Sequence, residues 1–122
     1  MKLDATHDPA RRSWVESAQG HPDFPVQNLP FGVFSPPGAA PRIGVAIGDM
    51  ILDLAACAQR GFLPPAVTAA CREPSLNRLM AIARTDRAEL RRTVSELLSV
   101  PHYRAMLADA VHDADGCTLH LP

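Results

Sequence analysis

The stretch 42–54, Arg-Ile-Gly-Val-Ala-Ile-Gly-Asp-Met-Ile-Leu-Asp-Leu, constrains the fold more than any other part of the chain. Gly48-Asp49 separates two apolar runs, and a two-residue loop with Gly first suits a type II′ hairpin turn. That turn sets Ile47 opposite Met50, Val45 opposite Leu52 and Ile43 opposite Leu54. Side chains alternate along a strand, so this whole set falls on one face. Gly44, Ala46, Ile51 and Asp53 fall on the other, where the small residues let another segment approach closely.

The surroundings of the hairpin predict an α+β domain. Pro25 and Pro30 exclude a helix or a central strand at those points. An extended edge segment is expected there, followed by a short strand over 31–34 and a turn at Pro36-Pro37-Gly38. After the hairpin, Asp53 can cap a helix over 54–60, with Gly61 at its exit. Pro64-Pro65 can start another helix, running to about Arg72. Ser75 can cap a segment that puts Leu76, Leu79, Met80 and Ala83 on one face. Thr85 is expected to cap the longest helix, 86–98, with Asp86 and Glu89 in its first turn, where the helix dipole favours acids. Its apolar stripe is Leu90, Val94, Leu97 and Leu98. Pro101 opens a further helix with Tyr103, Met106, Leu107 and Val111 on one side. Residues 117–121 alternate as a half-buried strand. Strands come first, helices follow and a strand finishes, which is α+β order and not alternating βαβ. The polar stretch 1–12 is expected to be a disordered start. Trp14, the single tryptophan, is expected to be a packing anchor.

Length and charge narrow the function. A chain of 122 residues is the size of one domain. Its formal net charge of −1 offers no basic field for nucleic acid or an acidic membrane surface. No apolar run approaches membrane-spanning length, and the N-terminus lacks a signal pattern. Three cysteines, Cys57, Cys71 and Cys117, without paired short spacing point to reduced thiols in a cytoplasmic protein.

The candidate chemical groups find ordinary structural roles. Asp49 and Asp53 are the tidiest acidic pair, yet one suits a turn and the other a helix cap. The histidines His7, His21, His102, His112 and His120 show no zinc-ligand spacing. Cys57 and Cys71 lie in apolar surroundings, where a thiol is small filler and not a nucleophile. No glycine-rich phosphate loop or nucleophile elbow is present. Arg84, Arg87, Arg91 and Arg92 interleave with Asp86, Glu89 and Glu96 as a solvated mixed surface. The residues alone therefore assign no catalytic and no metal-binding position. Val26, Leu29, Pro30 and Phe31 are too apolar for a free loop; either the helices of this chain or a second domain should cover them, which makes them the expected domain interface.

Four segments carry a resemblance to a known family. Residues 23–35, Asp-Phe-Pro-Val-Gln-Asn-Leu-Pro-Phe-Gly-Val-Phe-Ser, resemble the opening of the fumarylacetoacetases. The hairpin 41–54 resembles that family's second signature. Pro74-Ser75-Leu76-Asn77 and Leu119-His120-Leu121-Pro122 resemble family positions in the right order. The match covers 13–122. The resemblance implies a small N-terminal domain, an SH3-like partly open β-barrel or roll with helices in its second half, ahead of a larger catalytic domain. It implies that the whole enzyme is a homodimer that cleaves 4-fumarylacetoacetate to fumarate and acetoacetate, the last step of tyrosine breakdown. A divalent ion, calcium or magnesium, would be held by carboxylates of that catalytic domain. In the family the metal carboxylates and the catalytic His follow the Leu-His-Leu-Pro position, so none of them maps onto this chain. The implied role is to pack on the catalytic domain of the same polypeptide. A stand-alone interaction module of the same fold is the alternative, and an enzyme complete within these residues a third.

Overall fold

The hairpin forms with the predicted register. In a computed structural model that describes residue 8 and residues 10–120, strand β2 (Arg42–Ile47) pairs antiparallel with β3 (Met50–Asp53), with Val45 opposite Leu52 and Ile47 opposite Met50. Gly48 has φ +57°, and no described residue other than glycine has a positive φ. Only the type II′ hairpin turn combines those signs. Leu54 departs from the expected pairing. Asp53 ends the strand by capping α1 (Leu54–Gln59), so Leu54 opens the helix, and Ile43 pairs instead with Val33 of β1 (Phe31–Ser35).

The sheet is antiparallel throughout, in the order β4-β3-β2-β1-β5, and it curls into a half-barrel. Its edges are β4 (Val111–Asp113) and β5 (Thr118–His120). The fold is thus the expected α+β small open barrel with helices in the second half. Helices α1, α2 (Pro65–Cys71), α3 (Asn77–Met80), α4 (Arg84–Ser99) and α5 (Tyr103–Leu107) complete it. The helices bury one face of the sheet. Ile43, Val45, Ile47, Leu52 and Leu54 share one core with Val67, Leu79, Leu90, Val94, Leu98 and Leu107, all wholly removed from solvent. The helical stripe predicted for α4 is the one that is buried.

Several expectations are corrected. Residues 25–28 form a turn, with the Asn28 N–H donating to the Pro25 carbonyl, and β1 lies inside the sheet between β2 and β5, so there is no extended edge segment ahead of it. Ser75 and Thr85 make no cap bond. Helix α3 begins after Leu76 and α4 after Ala83, whose carbonyl accepts the N–H groups of Asp86 and Arg87. Of the face expected on α3, only Leu79 is fully buried, and Met80 is exposed. The helix expected to reach Val111 stops at Leu107 and passes through a 3₁₀ turn, Ala108–Ala110. Val111 then joins β4 opposite Leu52: a β-branched side chain takes a strand position beside a buried strand. Strand β5 is present, but each of its three residues is exposed, where a half-buried strand was expected. The expected disordered start lies largely outside the described residues, as do His7, Leu121 and Pro122.

Candidate functional site

The other face of the half-barrel, the one that carries Gly44, gathers side chains that are scattered in the sequence. Register places Phe34 opposite Arg42, Gly44 opposite both Gly32 and Asp53, and Ile51 opposite both Ala46 and His112. The Phe34 ring lies across Gly44: a Cβ there would stand 2.6 Å from Phe34 Cε1 and from Ile51 Cγ2. His112 tilts against the same ring, with centroids 5.7 Å apart. Beside them, the buried Asp53 carboxylate is held by two donors. The Ala56 N–H donates to Oδ1 at 3.1 Å and Arg42 Nη1 donates to Oδ2 at 3.0 Å. His112 Nε2 stands 3.7 Å from Oδ2, beyond hydrogen-bond range but within reach of its charge. The Arg42–Asp53–His112 grouping has no signal in the sequence. It depends on β4 pairing with β3, and residues 103–111 read as one helix.

Toward the β5 side the same face opens into an apolar groove of about 230 Å³, lined chiefly by Phe24, Pro30, Ala46, Ile51 and Leu119, with Gly32 and Gly44 in its floor. Phe31 also borders it, and His120 is its polar wall residue. Ser35 Oγ and His120 Nε2 lie 2.7 Å apart and pin β5 to β1. The residues expected at a domain interface therefore divide. Val26 and Leu29 are each only 2% exposed, covered by this chain's own core. Pro30 and Phe31 keep accessible surface at the groove.

The remaining candidates are spent on structure. Asp49 sits in the turn with an exposed side chain and faces His21 Nε2 at 3.2 Å. Because His21 Nδ1 accepts the Asp23 and Phe24 N–H groups, its Nε2 carries the proton and donates to Asp49. Asp49 and Asp53 thus serve different partners and form no shared site. Burial, reinforced by the Asp53 charge, pushes the Cys57 thiol up to about 12, and burial alone pushes Cys71 up to about 11. Neither thiol supplies a thiolate near neutrality. Burial and the Asp113 charge also raise Cys117. Arg60 makes a two-pronged bond to Asp109, and that hydrogen bonding holds the Asp109 carboxyl below its ordinary range. Among the described residues no three of His, Cys, Asp and Glu are placed to hold a metal ion. A hard cation needs several converging oxygens, and Asp53, the one buried carboxylate among the described residues, already has both of its oxygens engaged. Among the described residues this donor set does not fit the divalent ion that the resemblance implies. No helix among the described residues is long and apolar enough to cross a membrane.

The model of the family described as fumarylacetoacetase N-terminal matches residues 27–122. The chain belongs to that family. Among curated relatives, the fumarylacetoacetase of Caenorhabditis elegans is 40% identical over 123 aligned residues, which take in 91% of this chain and 28% of the relative. The human fumarylacetoacetase is 40% identical over 111 residues, 82% of this chain and 26% of its own length. That of Oryza sativa subsp. japonica is 46% identical over 95 residues, 72% of this chain and 22% of its own length. The chain thus spans about a quarter of the length of the fumarylacetoacetases it matches.

Proposed function

We propose that this chain acts as the non-catalytic N-terminal domain of a fumarylacetoacetase-type hydrolase, packing on the catalytic domain and positioning it. The observation that supports this most is the family match, with alignments that fall on about a quarter of each relative's length. The reaction would be that of the relatives' name: cleavage of 4-fumarylacetoacetate to fumarate and acetoacetate, closing tyrosine breakdown in the cytoplasm. A calcium or magnesium ion would be held by the catalytic domain and not by these residues, and the assembled enzyme would be a homodimer. The contribution of this domain is mechanical. Pro30 and Phe31 offer apolar surface, while the hairpin, tied through Asp53 and Arg42, keeps the sheet in one shape.

Calorimetry with magnesium and calcium, together with a substrate-depletion assay, tests this. The chain alone is expected to be inert in both. Grafted in place of the aligned residues of the C. elegans enzyme, it is expected to support hydrolysis. Metal-dependent turnover by the chain alone, lost in Asp49→Asn or Asp53→Asn, would overturn the proposal.

A further inference from the structure

We infer that the groove on the Gly44 face of the sheet, between Pro30, Ala46 and the exposed strand β5, is the seat for an apolar segment of the polypeptide that follows this domain in a fumarylacetoacetase. The inference rests on the function proposed above and specifies the surface through which it works. The groove's chemistry selects a polypeptide over a metabolite. Its lining is almost wholly apolar, and the one polar ring in it, His120, is already bonded through Nε2 to Ser35, which leaves the two carboxylates of a fumarate-like acid poorly matched. At about 230 Å³ it is also below the roughly 300–1,000 Å³ usual for small-molecule sites. A pair of branched or aromatic side chains suits it better.

Chain direction selects the occupant. The family match is to an N-terminal region and runs through residue 122, so in the relatives the rest of the polypeptide departs from this point. Leu119 and His120, immediately before it, are themselves walls of the groove. The Ser35–His120 bond fixes that departure point against β1. Strand β5 is an edge of the sheet, and Leu119 is 71% exposed, the most exposed large apolar side chain among the described residues. The backbone of this three-residue edge is open to pairing on one side, and Leu119 is the apolar side chain that a covering segment would bury. A following segment can cover it at the smallest loop-closure cost, because closure entropy grows with loop length. The other exposed large apolar residues among those described, Met80 and Met106, lie on separate helices and outside this groove.

The test uses the same graft into the C. elegans enzyme with two groove substitutions. Gly32→Leu fills the groove from its floor, where a Cβ meets no atom within 4 Å, so the domain itself is not strained. Leu119→Asp places a charge on the rim. Met80→Glu, exposed and away from the groove, is the control. Each groove variant is expected to leave the melting temperature of the isolated 122-residue chain unchanged. Each should lower the graft's activity and thermal stability together, with activity down roughly tenfold, as for loss of an interface anchor. The control should do neither. Groove variants as active and as stable as the unsubstituted graft would overturn the inference while leaving the domain's proposed function standing. An inactive unsubstituted graft would overturn both. A concentration-dependent dimer of the isolated chain that Leu119→Asp abolishes, in a graft indifferent to the same change, would identify a second copy as the occupant and overturn the inference.

Discussion

Gly44 shows how much of this fold rests on the absence of one methyl group. The sequence marks it only as a small residue on the second face of a hairpin. The structure shows the reason: Phe34, 1% exposed, lies against the strand where a side chain would project, with Ile51 on the other side. Neither neighbour can yield without unpacking this face of the sheet. Gly44→Ala is therefore expected to destabilise by about 1–3 kcal/mol, the usual cost of overpacking. An unchanged urea midpoint would contradict this. Cys57 gives a second prediction at the same scale. Its folded thiol is raised to about 12 from an ordinary 9.0, so the folded state keeps a proton that the unfolded chain loses. The stability this contributes is complete below about pH 9 and is lost as pH rises toward 12, because the unfolded state then binds fewer protons. Urea midpoints taken from pH 7 to 10.5 should fall above pH 9, and Cys57→Ala should make that fall shallower, with the raised Cys71 thiol carrying part of what is left. An equally steep fall in the variant would show that other groups carry it.

At the scale of elements, those that were legible had two signals in agreement. In the hairpin, the turn residues and the alternating apolar runs specify one register, and Val45 and Ile47 are completely buried as that register requires. Val45→Asp should cost several kcal/mol, since an unpaired carboxylate would enter the core. A melting temperature equal to that of the unsubstituted chain would refute the burial assigned to this face. Helix α4 was legible through its stripe, but its start was not: a threonine in the right place competes with a plain extended residue, Ala83, and the tertiary fit chose Ala83. Strand β4 was illegible for a different reason. Val111 continues the apolar spacing of Tyr103 and Leu107, and only the neighbouring strand β3 makes it extended. That one misassignment hid the approach of His112 to Asp53, because the grouping exists only when β4 is a strand. For Val26 and Leu29 the sequence shows that something must cover them, but composition alone does not distinguish this chain's core from a second domain.

At the scale of the molecule, the segment before β1 joins parts that the sheet and helices leave separate. The last carbonyls of α4 have no partners within the helix. Two of them are satisfied from far away in sequence: Trp14 Nε1 donates to Leu97 O at 2.7 Å, and the Trp14 N–H and Ser13 Oγ both donate to Leu98 O. A few residues on, the same segment clasps the hairpin turn. The Gly48 N–H donates to Phe24 O at 2.7 Å and the Asp49 N–H to Ser17 Oγ at 2.9 Å. Residues 13–24 therefore act as a strap between the end of the longest helix and the tip of the hairpin, and Trp14 packs against the core between them. A domain tied in this way has no part that can open without loosening the whole, so unfolding should be a single cooperative transition. Trp14 fluorescence and far-ultraviolet circular dichroism are expected to melt at the same temperature. Trp14→Ala should remove about 2 kcal/mol, less than the roughly 3–5 kcal/mol of a fully buried aromatic, because part of the ring is exposed. It should also lower the midpoint without splitting the transition. If fluorescence melted well before circular dichroism, the strap would be an independent appendage, and the cooperativity argued from its bonds to Leu97, Leu98 and Gly48 would fail.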